Sequence, residues 1–249
     1  PELERAILEH ASAQASADAT LAIQRAMGFY GAELGSRPRV TFEMLFRPKD
    51  DSATYATQVL DRGLVEIVPT EPPELRILVP VHELFHHLFA NAPHAKLEEL
   101  AHRFATSPEP NALPAYGLLD EVLATGLAQG VLGRRLAPAE FTERLGRPSG
   151  LYGDRFIDSV TKALLPELER LAASPEAGAV FSPEFQVAYL DAVRRAYPRG
   201  LPPLAHLRPL ACTYSKEFEA AYRQLHAASG AQLVASTDAP DSEDGRALL

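Results

Sequence analysis

The spacing of the hydrophobic residues divides the chain into a helical start, a short β region and a long helical remainder. Residues 2–34 carry apolar side chains at roughly helical intervals, with alanines between them, and predict a helix. From residue 38 to residue 70 the pattern changes to the alternation of half-buried strands, interrupted by the turn Asp61-Arg62-Gly63. We expect a small antiparallel sheet, with strands at 40–46, 55–60 and 64–68.

From Pro72 onward the apolar residues have the spacing of helices. Pro80 either kinks the first of these helices or begins the next one. Ser182-Pro183-Glu184 is typical of a helix start, with serine as the capping residue and proline at the first helical position. Further helices are predicted over residues 96–106, 115–130, 137–145, 153–173, 183–197 and 216–228.

This order of elements predicts an α+β fold that is mostly α-helical. We expect one domain over residues 1–235, with a helix and the small sheet in 1–70 and a helical lobe in 71–235. The two parts would enclose a single cleft. Residues 236–249 are polar, so we expect them to form a flexible tail.

One segment carries recognisable chemistry, because His82-Glu83-Leu84-Phe85-His86 has the pattern HExxH within an otherwise apolar stretch. Residues four apart share one face of a helix, so His82 and His86 would present two imidazoles side by side. Such a pair can bind zinc, with Glu83 placed to act as a general base on a water that the metal activates. Unpaired polar groups would cost several kcal/mol in these apolar surroundings, and a metal removes that cost.

A catalytic zinc needs a third protein ligand and an open fourth position. A third histidine close to the motif is excluded, because Phe89 and Ala92 occupy the positions at which that pattern requires glycine and histidine. Glu121 is the first candidate, since it lies in an apolar predicted helix whose small residues permit close packing. Glu98 is the alternative third ligand, although its surroundings are typical of the solvated face of a charged helix.

Composition and charge exclude several classes of protein. The 33 Asp and Glu residues outnumber the 24 Lys and Arg residues, and no basic stripe is present, so nucleic acid is not an expected partner. The single cysteine, Cys212, excludes an internal disulfide framework and a cysteine-rich zinc site. The longest apolar stretch is too short and too polar to predict an integral membrane segment. Because the chain begins at Pro1, we expect a trimmed or mature form and favour an exported protein over a cytoplasmic one.

Residues 81–86 and the segment Asp120-Glu121-Val122-Leu123-Ala124 resemble the gluzincin group of zinc metallopeptidases. The resemblance implies a zincin-like fold, a zinc cofactor bound by His82, His86 and Glu121, and Glu83 as the catalytic base. It also implies a peptide or protein substrate that pairs with an edge strand just before the HExxH helix. The residues in that place are Val65, Glu66 and Ile67.

The chain departs from this pattern at Thr125. In thermolysin-like members an acid at that position, four residues after the glutamate ligand, orients the first histidine; here another group, such as Asp120 or a backbone carbonyl, has to do so. A rival resemblance starts from Glu98, which with Ala101, Phe104 and Ala105 is similar to the pattern in peptidases that cleave phage or stress repressors.

These inferences predict zinc-dependent hydrolysis of peptide bonds, in which Glu83 moves a proton from water to the leaving amine. A second donor beside the metal would stabilise the oxyanion, and we favour Tyr214 for that role. The other candidates are Tyr116, Tyr152, His206 and His226. The alternative function is a non-catalytic, zinc-binding helical scaffold or interaction protein that keeps a vestigial site.

Overall fold

A computed structural model of the protein describes residues 17–31, 41–46, 54–59, 62–68, 71–173, 176–202, 211–213 and 234–236. Helix α1 covers residues 17–30. The strands are β1 (Thr41–Phe46), β2 (Tyr55–Val59), β3 (Arg62–Ile67), β4 (Ala211–Thr213) and β5 (Val234–Ser236). The other helices are α2 (Pro73–Arg76), α3 (Leu78–Ala90), α4 (His94–Ala105), α5 (Ala112–Thr125), α6 (Gly133–Leu136), α7 (Pro138–Gly146), α8 (Arg155–Ala173) and α9 (Pro183–Ala196). A π-helical segment, Gly126–Leu132, joins α5 to α6, and a 3₁₀ turn, Ala179–Phe181, precedes α9.

The α+β, mostly helical fold class is confirmed. Helices α4, α7, α8 and α9 begin and end within two residues of the predicted bounds. The predicted helix at 115–130 is divided between α5 and the π-helical segment, and α6 was not predicted. Ser182 caps α9 by accepting a hydrogen bond from the backbone amide of Phe185, as the start signal predicts. Pro80 lies in the first turn of α3, where a missing amide hydrogen costs nothing. The predicted helix at 216–228 lies outside the described residues, and so do residues 237–249 of the predicted tail.

The prediction of an antiparallel sheet is wrong for one pair of strands. The order in the three-stranded sheet is β1-β3-β2, and β1 pairs with β3 in parallel whereas β2 pairs with β3 antiparallel. Because the direction of the strands alternates along the chain, β1 and β3 point the same way. In the sheet β1 lies beside β3 and not beside β2, so this pair is parallel. Alternation of apolar residues defines a strand but not its neighbour.

The expected role of β3 as an edge strand is also wrong. Val65 and Glu66 pair with β1 on one side and with β2 on the other, and Ile67 pairs with Phe46 of β1. Their main-chain groups face neighbouring strands, so a substrate cannot add itself to β3. The side chains of Val65 and Ile67 are buried against Ala56 in the core of the sheet. The two edges of the described sheet are β1 and β2.

Helix α3 is apolar around most of its circumference because it packs on two layers. Val79 contacts the buried cluster of the sheet, whereas Val81, Phe85 and Leu88 belong to the main helical core. Helix α5 lies at the centre of that core and contacts α3, α4, α8 and α9. Within the described part of the chain, no helix combines the length and the apolar content that crossing a membrane requires.

Candidate metal centre

Two buried helices bring the predicted site residues together. Helix α3 carries His82, Glu83 and His86, and α5 carries Asp120 and Glu121. The large apolar side chains of α5 that flank the acidic pair are fully buried: Leu118, Leu119, Val122 and Leu123. Since these side chains anchor α5 in the core, its acidic pair is held against α3.

Three donor atoms converge at this contact. The Nε2 atoms of His82 and His86 are 3.0 Å apart, and Oε2 of Glu121 lies 3.5 Å from the first and 3.6 Å from the second. A tetrahedral ion with bonds of about 2.0–2.1 Å holds its ligands roughly 3.3–3.4 Å apart. The three separations scatter around that value, so the arrangement fits a zinc-sized ion.

Two buried carboxylate oxygens of the site lack a hydrogen-bond partner among the described residues. Among the described residues, none forms a hydrogen bond with the buried Oε2 of Glu121 or the buried Oδ1 of Asp120. A buried acceptor left without a donor costs about 1–3 kcal/mol. An ion between the two histidines and Glu121 would remove this cost for the glutamate oxygen.

The charges of the site are strongly coupled when no metal is bound. Burial raises the pKa of Glu121, but polar interactions with His82 and His86 outweigh burial and hold that pKa well below its usual range. Burial lowers the pKa of His86, yet the close contact with Asp120 and the negative charges of Asp120 and Glu121 raise it to about 10. A proton on His86 therefore occupies the place that a cation would take.

Glu83 is half-buried on α3 and lies near all four of these groups. Burial raises its pKa, charge interactions with His82 and His86 lower it, and the carboxylates of Glu121 and Asp120 raise it again. The net shift is upward. A carboxylate with a raised pKa takes up a proton more readily near neutral pH, as a general base must.

Each histidine has a hydrogen-bond partner at its second ring nitrogen. Nδ1 of His86 lies 2.9 Å from Oδ2 of Asp120, and Nδ1 of His82 lies 3.2 Å from Oε1 of Gln129 in the π-helical segment. Asp120 thus contacts the second histidine, whereas the sequence suggested it for the first. Gln129 was missed, although it is the one polar side chain in the run Gly126–Leu132.

The alternative third ligand and the candidate oxyanion donors differ in their distance from the two histidines. Glu98, the alternative third ligand, is 69% exposed and pairs with His94 at 3.4 Å, and the structure does not bring it to the two histidines. Tyr152 stacks on the ring of His82 with centroids 5.8 Å apart. Tyr116 lies one turn before Asp120. Burial is the main cause that raises the pKa of Tyr116, and the negative charge of Asp120 raises it further. Tyr214, the favoured oxyanion donor, lies outside the described residues, as do His206 and His226.

No protein-family model matches this chain, and neither the curated proteins nor the solved structures contain a detectable match to it.

Proposed function

We propose that this protein is a zinc-dependent peptidase that uses Glu83 as its general base. The observation that carries the proposal is the triangle of His82, His86 and Glu121, whose donor atoms are 3.0–3.6 Å apart. Two imidazoles and one carboxylate form a common ligand set of hydrolytic zinc sites, which leave the fourth position for water or substrate.

The metal and Glu83 would have different roles in hydrolysis. Bound zinc would polarise the scissile carbonyl and lower the pKa of a water molecule. Glu83 would take a proton from a water molecule as the oxygen of that water attacks the carbonyl carbon, and would then give the proton to the nitrogen of the leaving amine. The raised pKa of Glu83 suits a group that must both accept and release a proton.

Tyr152 is the residue that best fits the second donor to the developing oxyanion. Among the candidates in the described part of the chain, it is the one whose ring stacks on a proposed ligand, His82. It belongs to the connection between α7 and α8, so a different part of the chain from α3 and α5 supplies it. A phenol at this place could donate a hydrogen bond to the carbonyl oxygen as negative charge builds on it.

We propose that an extended peptide pairs with β2 in place of the predicted β3. Strand β2 is an edge of the described sheet and contacts α3, the helix that carries both histidines. Pairing along such an edge uses main-chain hydrogen bonds and places the substrate next to the metal.

The proposal is tested by measuring zinc content and peptide hydrolysis on the same preparation. We expect one zinc per chain, turnover of a broad peptide library, loss of turnover on chelation, and recovery on adding zinc back. Bound zinc without turnover would instead favour the non-catalytic scaffold. A protein that binds no zinc after dialysis against the metal would contradict both functions.

A further inference from the structure

We infer that Gln129 is the positioning residue of the first proposed zinc ligand, His82, and takes the role of the acid that is missing at Thr125. The inference rests on the proposed metal site and deepens it. Gln129 belongs neither to the HExxH motif nor to the acidic pair of α5. It lies in the π-helical segment, which would thus contribute to the site.

The geometry at His82 determines which atom of Gln129 is used. Nε2 of His82 faces Nε2 of His86 and Oε2 of Glu121, so this nitrogen must present its lone pair to bind a metal. The ring proton then resides on Nδ1, which needs an acceptor. Oε1 of Gln129 lies 3.2 Å away and is that acceptor. The hydrogen bond sets both the tautomer and the orientation of the ring.

Thr125 cannot serve this purpose in the present structure. Its side chain is fully buried one turn after Glu121, and its Oγ1 has no hydrogen-bond partner among the described residues. The helix changes to i→i+5 hydrogen bonding at Gly126 and keeps it through Leu132. This wider turn alters the register that a continuous α-helix would have, and the structure has Gln129 at His82.

The π-helical segment packs closely against α8. A Cβ atom at Gly126 would lie 2.2 Å from Cδ1 of Leu168, and one at Gly130 would lie 2.6 Å from Cδ1 of Leu165. Such distances are far below van der Waals contact, so a larger residue at either position would force the facing leucine side chain to move. Because Gly130 adjoins Gln129, the carboxamide projects from backbone that packs against α8.

The test is the zinc affinity of Gln129→Met, measured by competition with a chromophoric chelator at fixed pH. Methionine keeps the length of the side chain but removes the acceptor, and loss of such an outer partner weakens metal binding about 10- to 100-fold. Gln129→Glu keeps an acceptor at the same reach, so its affinity should equal or exceed that of the unmodified protein. The absorption spectrum of bound Co²⁺ should change in Gln129→Met and return in Gln129→Glu.

Gln186→Met is the matched control. Gln186 also accepts a 3.2 Å hydrogen bond from another side chain, Nε of Arg103, but it lies on α9 and contributes nothing to the site. The zinc affinity of Gln186→Met should equal that of the unmodified protein. Gln129→Asn, which keeps the amide but shortens its reach, replaces Gln129→Met if circular dichroism of the metal-free methionine variant shows a loss of fold.

The outcomes distinguish a failure of the role of Gln129 from a failure of the metal site. Equal affinities for the unmodified protein and Gln129→Met would overturn the role of Gln129 and leave the metal site standing. Equal weakening in Gln129→Met and Gln129→Glu would also overturn it, because a purely structural role is not rescued by an acceptor. If the unmodified protein binds no zinc, the proposed function fails and this inference fails with it.

Discussion

Oδ2 of Asp120 lies 2.9 Å from Nδ1 of His86, and Oε2 of Glu121 lies 3.6 Å from the other nitrogen of the same ring. Two carboxylates therefore enclose one imidazole. In the metal-free protein this raises the pKa of His86 to about 10, so the ring carries a proton at neutral pH. Zinc needs the unprotonated ring nitrogen, and binding must displace this proton.

The first prediction is that zinc binding at pH 8 releases about one proton from His86. This pH lies above the ordinary pKa of histidine, near 6.5, and below the raised value of about 10. The metal-free ring is therefore protonated and the metal-bound ring is not, whereas Glu121 is already ionised and releases nothing. Calorimetry in two buffers with different ionisation enthalpies measures the number of protons.

Asp120→Asn supplies the control for proton release. Asparagine keeps the shape but removes the charge that helps to raise the pKa of His86. The proton number at pH 8 should fall in this variant. An unchanged number would mean that Asp120 does not hold the proton on His86 in solution.

The second prediction concerns the third ligand. Glu121→Gln should weaken zinc binding by more than the about 10- to 100-fold that loss of an outer partner costs, because a carboxylate ligand itself is removed. Glu98→Gln is the matched control, since this residue is exposed and pairs with His94 away from the site. Elemental analysis after dialysis checks both variants, and release of zinc by the Glu98 change alone would reverse the assignment.

A third prediction compares two leucines of α5. Leu118 is fully buried, whereas Leu113 is 61% exposed. Leu118→Ala should lower the free energy of unfolding by about 2–5 kcal/mol, because it leaves a cavity in the centre of the core. Leu113→Ala should change it by less than about 0.5 kcal/mol. Urea denaturation of the metal-free variants measures both, and similar losses would contradict the central position of α5.

The fourth prediction is that Tyr152→Phe lowers kcat by about 100-fold with little change in KM. The reason is that an oxyanion donor acts in the transition state and hardly at all on the bound substrate. Zinc content should be retained, because the phenol is not a ligand. Tyr197→Phe is the control, since Tyr197 donates its hydroxyl hydrogen to the carbonyl of Arg155 and not to the site. A rise in KM alone would assign Tyr152 to substrate binding.

The sequence predicts the helices and the core of the site because both depend on local spacing. Four-residue spacing places His82 and His86 on one face, and the apolar surroundings of Glu121 predict a buried helix for the acid. The structure brings these three residues together. The exposed side chain of Glu98 does not belong to this group. The charged residues around Glu98 in the sequence already indicate that it faces solvent.

The features that depend on non-local packing could not be predicted in this way. The alternation of residues 64–68 is the same for a central and an edge strand, so the parallel pairing of β1 beside β3 was missed. Likewise, Gly126 suggests close approach to a neighbouring helix, but residue spacing does not predict the change to π-helical hydrogen bonding in this segment, which packs against α8. Gln129 lies in that segment and contacts His82, a pairing that residue spacing alone did not predict.

The most direct test of the central claim is the hydrolytic rate of Glu83→Gln with zinc bound. Glutamine keeps the shape of the side chain but cannot accept the proton from water, and general-base catalysis contributes about 10²- to 10⁴-fold. The account predicts that this variant binds zinc as the unmodified protein does and loses at least about 100-fold in kcat. Retained turnover with retained zinc would contradict the role of Glu83, and with it the proposed mechanism.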